Sequence, residues 1–260
     1  RNKQISLIVD WMRVGFIHGV QNTDNVAISG ETIDYGPCAF MDTYNPGRVF
    51  SSIDQNGRYS YQNQSLIAHW NISRFAETLI PFLNKSEDKA IEIGEGIINE
   101  FEAIFKDKWL QMMKNKIGLV NNEKNDFVII QDLLNWMKIN KADFTNTFLH
   151  LMNDKKIVNF IYEKEDFKQI KNKITERKKI NKLPGHLSMI KMRSNNPLII
   201  PRNHIVEESL RDINESQDYS LFNKLIEITK SPYKKIKNIE FFQKTPDSVF
   251  EENYKTFCGT

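Results

Sequence analysis

Asp24, Asn25 and Asp34 are separated by the run Val26-Ala27-Ile28-Ser29-Gly30-Glu31-Thr32-Ile33, long enough to turn and short enough to bring its ends together. Three oxygen-bearing side chains at one mouth suit a hard divalent cation. Such an ion takes one or two protein oxygens and completes its shell with water and phosphate. One carboxylate is then left over to accept a proton from a hydroxyl in hydrogen-bond reach. Those are the parts needed for phosphoryl or nucleotidyl transfer, where positioning and charge neutralisation do most of the catalysis.

The flanking residues sharpen that reading. Protein kinases carry a catalytic loop H-R-D-L-x-x-x-N followed by D-F-G, and the Asn and the second Asp hold the metal ions. Over that frame His18 falls on the kinase His, Asn25 on the Asn, and Asp34-Tyr35-Gly36 on D-F-G. Val20 falls where the kinase base belongs, so a conventional kinase is disfavoured, and Asp24 becomes the candidate base. Taken alone, each of Thr23-Asp24-Asn25 and Asp34-Tyr35-Gly36 would be read as a polar turn; with His18 in register, the metal-site reading is preferred.

The segment Gly15-Phe16-Ile17-His18-Gly19-Val20-Gln21-Asn22-Thr23-Asp24-Asn25, with Thr32-Ile33-Asp34-Tyr35-Gly36-Pro37, resembles the selenoprotein O (SelO, YdiU) family of protein adenylyltransferases. The resemblance continues in Gly57-Arg58-Tyr59-Ser60-Tyr61-Gln62-Asn63-Gln64 and Trp70-Asn71. It returns in Asn196-Pro197, Ile200-Pro201-Arg202-Asn203-His204, Val206-Glu207-Glu208 and Phe257-Cys258-Gly259-Thr260. Residues 85–180 carry no recognisable motif. The resemblance implies a pseudokinase fold in which ATP lies flipped, its α-phosphate toward the acceptor. It implies transfer of AMP to Ser, Thr or Tyr hydroxyls of proteins, with release of pyrophosphate. It further implies Asp24 as proton acceptor, Asn25 and Asp34 as ligands of Mg²⁺ or Mn²⁺, and Asp34 lying against the nucleotide. ATP or UTP as donor is left open.

Family members carry a nucleotide-binding lobe ahead of the catalytic loop, and no Gly-rich phosphate loop precedes His18. The chain is therefore expected to be the C-lobe of a pseudokinase-fold enzyme over residues 1–260, weakly active or inactive alone. The competing reading is a nonenzymatic remnant that serves as an interaction module. Many relatives pair two cysteines as a latch, and here Phe50 stands at one of those positions. A Cys38–Cys258 bridge is conceivable, but two reduced thiols are preferred.

The rest of the chain must hold this loop. With 260 residues, 40% apolar and 27% charged, it can bury a substantial core. A net charge of +3 is too small to argue for nucleic acid, and no apolar run has membrane-spanning length. A soluble protein of the cytoplasm or mitochondria is expected, binding ATP and protein substrates, with no nucleic-acid or membrane partner.

Periodicity predicts a mainly α chain with a small β-hairpin and a helical C-terminal extension. Leu7, Ile8, Trp11 and Met12 mark a helix into the loop. The hairpin is expected between Asn25 and Asp34, with Ser29-Gly30 as its turn and Val26, Ile28 and Ile33 packed on one side. A helix over 66–83 should bury Trp70, Phe75, Leu79 and Phe82. A long helix over 87–117 follows, with Gly94 and Gly96 as bend points. Further helices are expected at 127–139, 143–153, 165–179, 204–214 and 219–230, with Asn203 as an N-cap.

The basic run 164–182 reads as a solvated helix face, because no aromatic residues interleave it. The histidines lack zinc spacing. His18 is expected to brace the loop. Arg58 and Arg202 are open to two roles, phosphate contact or buttressing through carboxylates.

Overall fold

The computed structural model describes residues 1–153 and 160–257. Helix α1 (Asn2–Val14) buries Ile5, Ile8, Val9, Trp11 and Met12 and ends at Gly15, whose φ of 75° closes a left-handed C-cap. Strand β1 (Phe16–Ile17) follows at once and pairs antiparallel with β2 (Ala39–Phe40), in the register Phe16↔Phe40 and Ile17↔Ala39. Residues 18–38 thus form a closed excursion, gripped at its base by this ladder.

The expected hairpin is corrected in position. Between Asn25 and Asp34 there is only a single bridge, Val26↔Thr32, closed by a turn in which Gly30 N–H donates to the Ala27 carbonyl. Ile28 is 75% exposed and Ile33 is exposed as well, so no apolar face exists there to stabilise a longer ladder. The burial that supports pairing lies one step outward, at Phe16, Ile17 and Ala39.

Helix α2 (Gln64–Leu83) turns a different face inward than its apolar stripe suggests. Its buried residues are Gln64, Ile67, Ala68 and Asn71, while Trp70 is 41% and Phe82 84% exposed, and Phe75 is exposed too. The inward face is chosen by hydrogen bonds to the excursion, described below, and hydrophobic periodicity is blind to that.

The long helix expected over 87–117 is two helices, α3 (Glu87–Asn99) and α4 (Phe101–Ile117). The break falls at Glu100, not at the glycines. Arg1 clamps it, donating to the Ile97 carbonyl at 2.8 Å and pairing with Glu100 at 2.6 Å. Helix α4 packs against α1, buries Met112, Met113 and Ile117, and ends at Gly118.

The helices α5 (Asp126–Ile139), α6 (Phe144–Leu151) and α7 (Glu165–Lys179) lie close to their expected spans. On α7, Phe167, Ile170 and Ile174 face the core, and Lys168 and Lys173 are exposed as a solvated face requires. Arg177 departs from that face: it is buried and bonds both carboxylate oxygens of Asp126, at 2.5 and 3.1 Å.

Helix α8 (Gly185–Asn195), unanticipated behind Leu183-Pro184-Gly185, packs on α4. Helices α9 (Asn203–Ser216), α10 (Ser220–Thr229) and α11 (Glu240–Gln243) gather a second small core of Ile199, Ile205, Leu225, Ile228 and Phe242. The N-cap of α9 is Arg202. Asn203, the expected cap, instead donates to the Phe40 carbonyl at 3.0 Å and ties α9 to β2.

A short α12 (Ser248–Asn253) precedes Thr256, whose N–H and carbonyl join residues 50–52 and whose hydroxyl donates to the Pro37 carbonyl. No helix among the described residues is long and apolar enough to cross a membrane. Cys258 lies outside the described residues, so the Cys38–Cys258 pairing does too.

Candidate active site

The excursion is built outward from the end of α1. Tyr61 Oη donates to the Met12 carbonyl and Lys116 Nζ to the Arg13 carbonyl, at 2.8 and 2.7 Å, occupying acceptors that a helix end leaves open. Lys116 lies 3.9 Å from the Phe148 ring centroid, and complete burial pulls its ammonium well below the ordinary lysine range. Beyond β1, Gly19 has φ 87°, and a side chain there would drive its Cβ to 2.5 Å from the Pro37 carbonyl oxygen. Only glycine lets the outgoing and returning arms approach so closely.

His18 sits at the centre of this base. It is buried and stacked on Trp11 with ring centroids 5.1 Å apart, and its Nε2 meets the Ile33 carbonyl at 2.8 Å. Burial lowers its proton affinity, opposed by the Ile33 bond and by Asp34. A neutral ring with Nε2–H donating to Ile33 follows, which is the bracing role expected of it.

Gln64 completes the clamp from α2. It accepts from the His18 backbone N–H at 3.1 Å and donates to the Phe16 carbonyl at 3.0 Å. Gln64→Leu should leave both backbone groups buried and unpaired, and is expected to cost roughly 2–4 kcal/mol. Urea unfolding checks this; a loss within experimental error would show that the clamp is dispensable.

The three predicted site residues lie on the two arms leaving the Val26↔Thr32 bridge. Thr23–Asn25 form a 3₁₀ turn with Asp24 exposed on it. Asn25 Nδ2 donates to the Val20 carbonyl at 2.9 Å, leaving the amide oxygen, the atom a hard cation would take, as the free end of that side chain. On the returning arm Asp34 is exposed with φ 54°, and its Oδ1 accepts from Gly36 N–H at 3.2 Å.

The Asp34 carboxylate lies within electrostatic reach of His18 and of Cys38. The Cys38 thiol donates to the Tyr35 carbonyl at 3.2 Å, and burial pushes it up from its ordinary range. Among the described residues no group of three or more His, Cys, Asp or Glu side chains could hold a metal on its own. An amide oxygen plus one carboxylate fits Mg²⁺ or Mn²⁺ as an ion shared with a phosphate-bearing substrate.

Several supporting residues escaped a motif-level reading of function. Asn71, on the inward face of α2, donates to the Gln21 carbonyl at 2.9 Å. Tyr59 Oη donates to Asn22 Oδ1, two residues before Asp24. Both belong to blocks that stand out in the sequence, Gly57–Gln64 and Trp70-Asn71, and that was the available signal. A cavity of about 740 Å³ opens beside the loop, walled by Thr23, Val26, Ile28, Asn71 and Phe75.

The two arginines left open now separate. Arg202 is fully buried and buttresses through carboxylates, bonding Asp42 and both oxygens of Asp143. Arg58 is exposed, with its guanidinium carbon 4.9 Å from the Trp70 ring centroid and 5.6 Å from that of Tyr59.

Comparison with known proteins places these residues in context. The profile of the family described as Protein adenylyltransferase SelO matches residues 2–230. Proteins named protein nucleotidyltransferase YdiU are similar across almost the whole chain. That of Pelagibacter ubique (strain HTCC1062) is 51% identical over 258 residues, 99% of this chain and 53% of the relative. Those of Nitrosococcus oceani and Clostridium perfringens (strain 13 / Type A) are 46% and 45% identical, over 99% and 100% of this chain and 52% of each relative. The chain thus spans about half the length of the curated relatives it matches.

Proposed function

Because the chain belongs to the SelO family of protein adenylyltransferases, we propose that it carries the base and the metal ligands of an enzyme that transfers AMP from ATP to protein hydroxyls. The relatives' printed name, protein nucleotidyltransferase, supports a nucleotide donor and a protein acceptor. In this reading residues 1–260 form a kinase-like C-lobe with a helical extension, and ATP lies with its α-phosphate toward the acceptor. The observation that carries the proposal is the Val26↔Thr32 bridge, whose two arms present Asp24-Asn25 and Asp34.

Asp24 takes the proton of a Ser, Thr or Tyr hydroxyl as its oxygen attacks the α-phosphorus. The bond from that phosphorus to the oxygen bridging the β-phosphate breaks, and pyrophosphate leaves. Asn25 and Asp34 would hold a divalent ion, which neutralises phosphate charge when bound. The buried His18 and the Gln64 clamp hold the loop rigid, so that little is lost to reorganisation.

The test is label transfer to protein from ATP radiolabelled at the α- or the γ-phosphate, with Mg²⁺ or Mn²⁺. It is run on the chain alone and mixed with the part of the Pelagibacter ubique relative that it does not span. Label from the α position only is the expected result. Label from the γ position would mean that ATP lies the other way round, and none from either would favour the interaction-module reading.

A further inference from the structure

We infer that Arg58, Tyr59 and Trp70 form the docking surface for the acceptor polypeptide, and that Arg58 selects segments with a carboxylate close to the acceptor hydroxyl. The assignment of an acceptor rests on the adenylyltransferase reading; the surface itself rests on four observations.

The first is position. Tyr59 is hydrogen-bonded to Asn22, and Asn71, the neighbour of Trp70, to the Gln21 carbonyl, so the surface is fastened to the stretch that carries Asp24. The second is the exposure of Trp70, a side chain whose large apolar area is usually removed from water. Leu66, one helical turn before it on α2, is more exposed still, so an apolar strip runs along this side of the helix.

The third is charge. Guanidinium carbons lie over the Trp70 ring at 4.9 Å for Arg58 and 5.7 Å for Arg74. Arg74 is spoken for by Glu77 at 2.5 Å. Arg58 has no ion pair among the described residues. Its nearest sequence carboxylate, Asp54, accepts instead from the backbone N–H groups of Arg58 and Tyr59, at 2.9 and 2.8 Å. A stacked guanidinium keeps its edge N–H donors available, and that edge matches a carboxylate in bidentate geometry.

The fourth observation decides between classes of occupant. A nucleotide triphosphate wants several converging cations. Here one guanidinium lies over the Trp70 and Tyr59 rings beside exposed Leu66, an arrangement that suits a single carboxylate flanked by apolar side chains. A peptide offers that combination.

The test uses fluorescein-labelled tyrosine peptides, identical but for Glu, Gln or Lys on either side of the tyrosine, titrated against the whole chain by fluorescence anisotropy. The Glu peptide should bind about fivefold more tightly than the Gln peptide, a preference that fades with added salt. Arg58→Gln should erase the preference with an unchanged melting temperature, and Trp70→Leu should weaken all three peptides alike. Equal binding of the Glu and Gln peptides, or a preference that survives Arg58→Gln, would overturn the inference. So would displacement of the Glu peptide by ATP whose own affinity falls in Arg58→Gln, since Arg58 would then contact nucleotide. Peptide preference without any label transfer would count against the enzymatic reading and leave the surface standing; transfer without flank preference would do the reverse.

Discussion

Asp34→Ala is expected to abolish metal-dependent nucleotide binding, whereas Asp24→Ala should leave it largely intact and slow transfer by about 10²–10⁴-fold. The asymmetry follows from the roles proposed. Removing Asp34 takes a carboxylate from the ion that neutralises the phosphates. Removing Asp24 takes only the proton acceptor. Asp34 also sits at φ 54°, where alanine is strained and asparagine is tolerated. Asp34→Asn therefore separates loss of charge from backbone strain, and should still lose most of the metal affinity. Calorimetric titration of the nucleotide with and without Mn²⁺ measures the first effect, and label transfer the second. Equal loss of metal affinity in the Asp24 and Asp34 variants would remove the distinction between base and ligand.

Arg202→Met should be the most damaging change to stability, costing about 3–5 kcal/mol. Its guanidinium neutralises Asp42 and Asp143, and all three side chains are buried. Methionine would leave two buried carboxyl groups with no guanidinium to bond them. At a chain of this size the melting temperature should fall by roughly 6–20 °C. The loss also has a location: Asp42 follows β2, Asp143 caps α6 through the Asn146 N–H, and Arg202 caps α9. The triad thus joins the C-terminal helices to the ladder under the loop that carries Asp24 and Asp34.

The same triad fixes the sign of a pH effect. Burial, with Asp143 and Glu251 nearby, pushes the Asp42 carboxyl up to about 7 despite Arg202. A carboxyl raised on folding favours the native state while protonated, and that contribution is lost as pH rises through the folded value. Without Arg202 the carboxyl is raised further, so the deficit of Arg202→Met should be larger at pH 8 than at pH 5. Adding Asp42→Asn and Asp143→Asn should recover much of the loss, since asparagine still serves as a cap. A loss below about 1 kcal/mol in Arg202→Met alone would show that water or neighbouring dipoles already satisfy the pair.

Local pattern served well wherever the structure is local. The helix into the loop and the span of α7 follow from contiguous residues. It failed at α2, where Trp70, Phe75 and Phe82 look like a core stripe and lie exposed. There the inward face is held by Gln64 and Asn71, whose partners Phe16, His18 and Gln21 lie some fifty residues back. It failed again at 87–117, where the break answers to Arg1, a residue with no sequence proximity to Glu100.

The sequence by itself determined the family resemblance and the residue types and spacing from which the chemistry of the loop is proposed. Its candidate base and ligands sit within one short segment, and ligand type and spacing are properties of the chain. Only the tertiary structure decided where the strand ladder lies, which side of α2 faces inward, and that Arg202 is a buried buttress rather than a phosphate contact. The physical reason is that hydrophobic periodicity registers the transfer of apolar surface from water. A polar side chain is buried only when a partner waits for it, and these partners are supplied by distant parts of the chain.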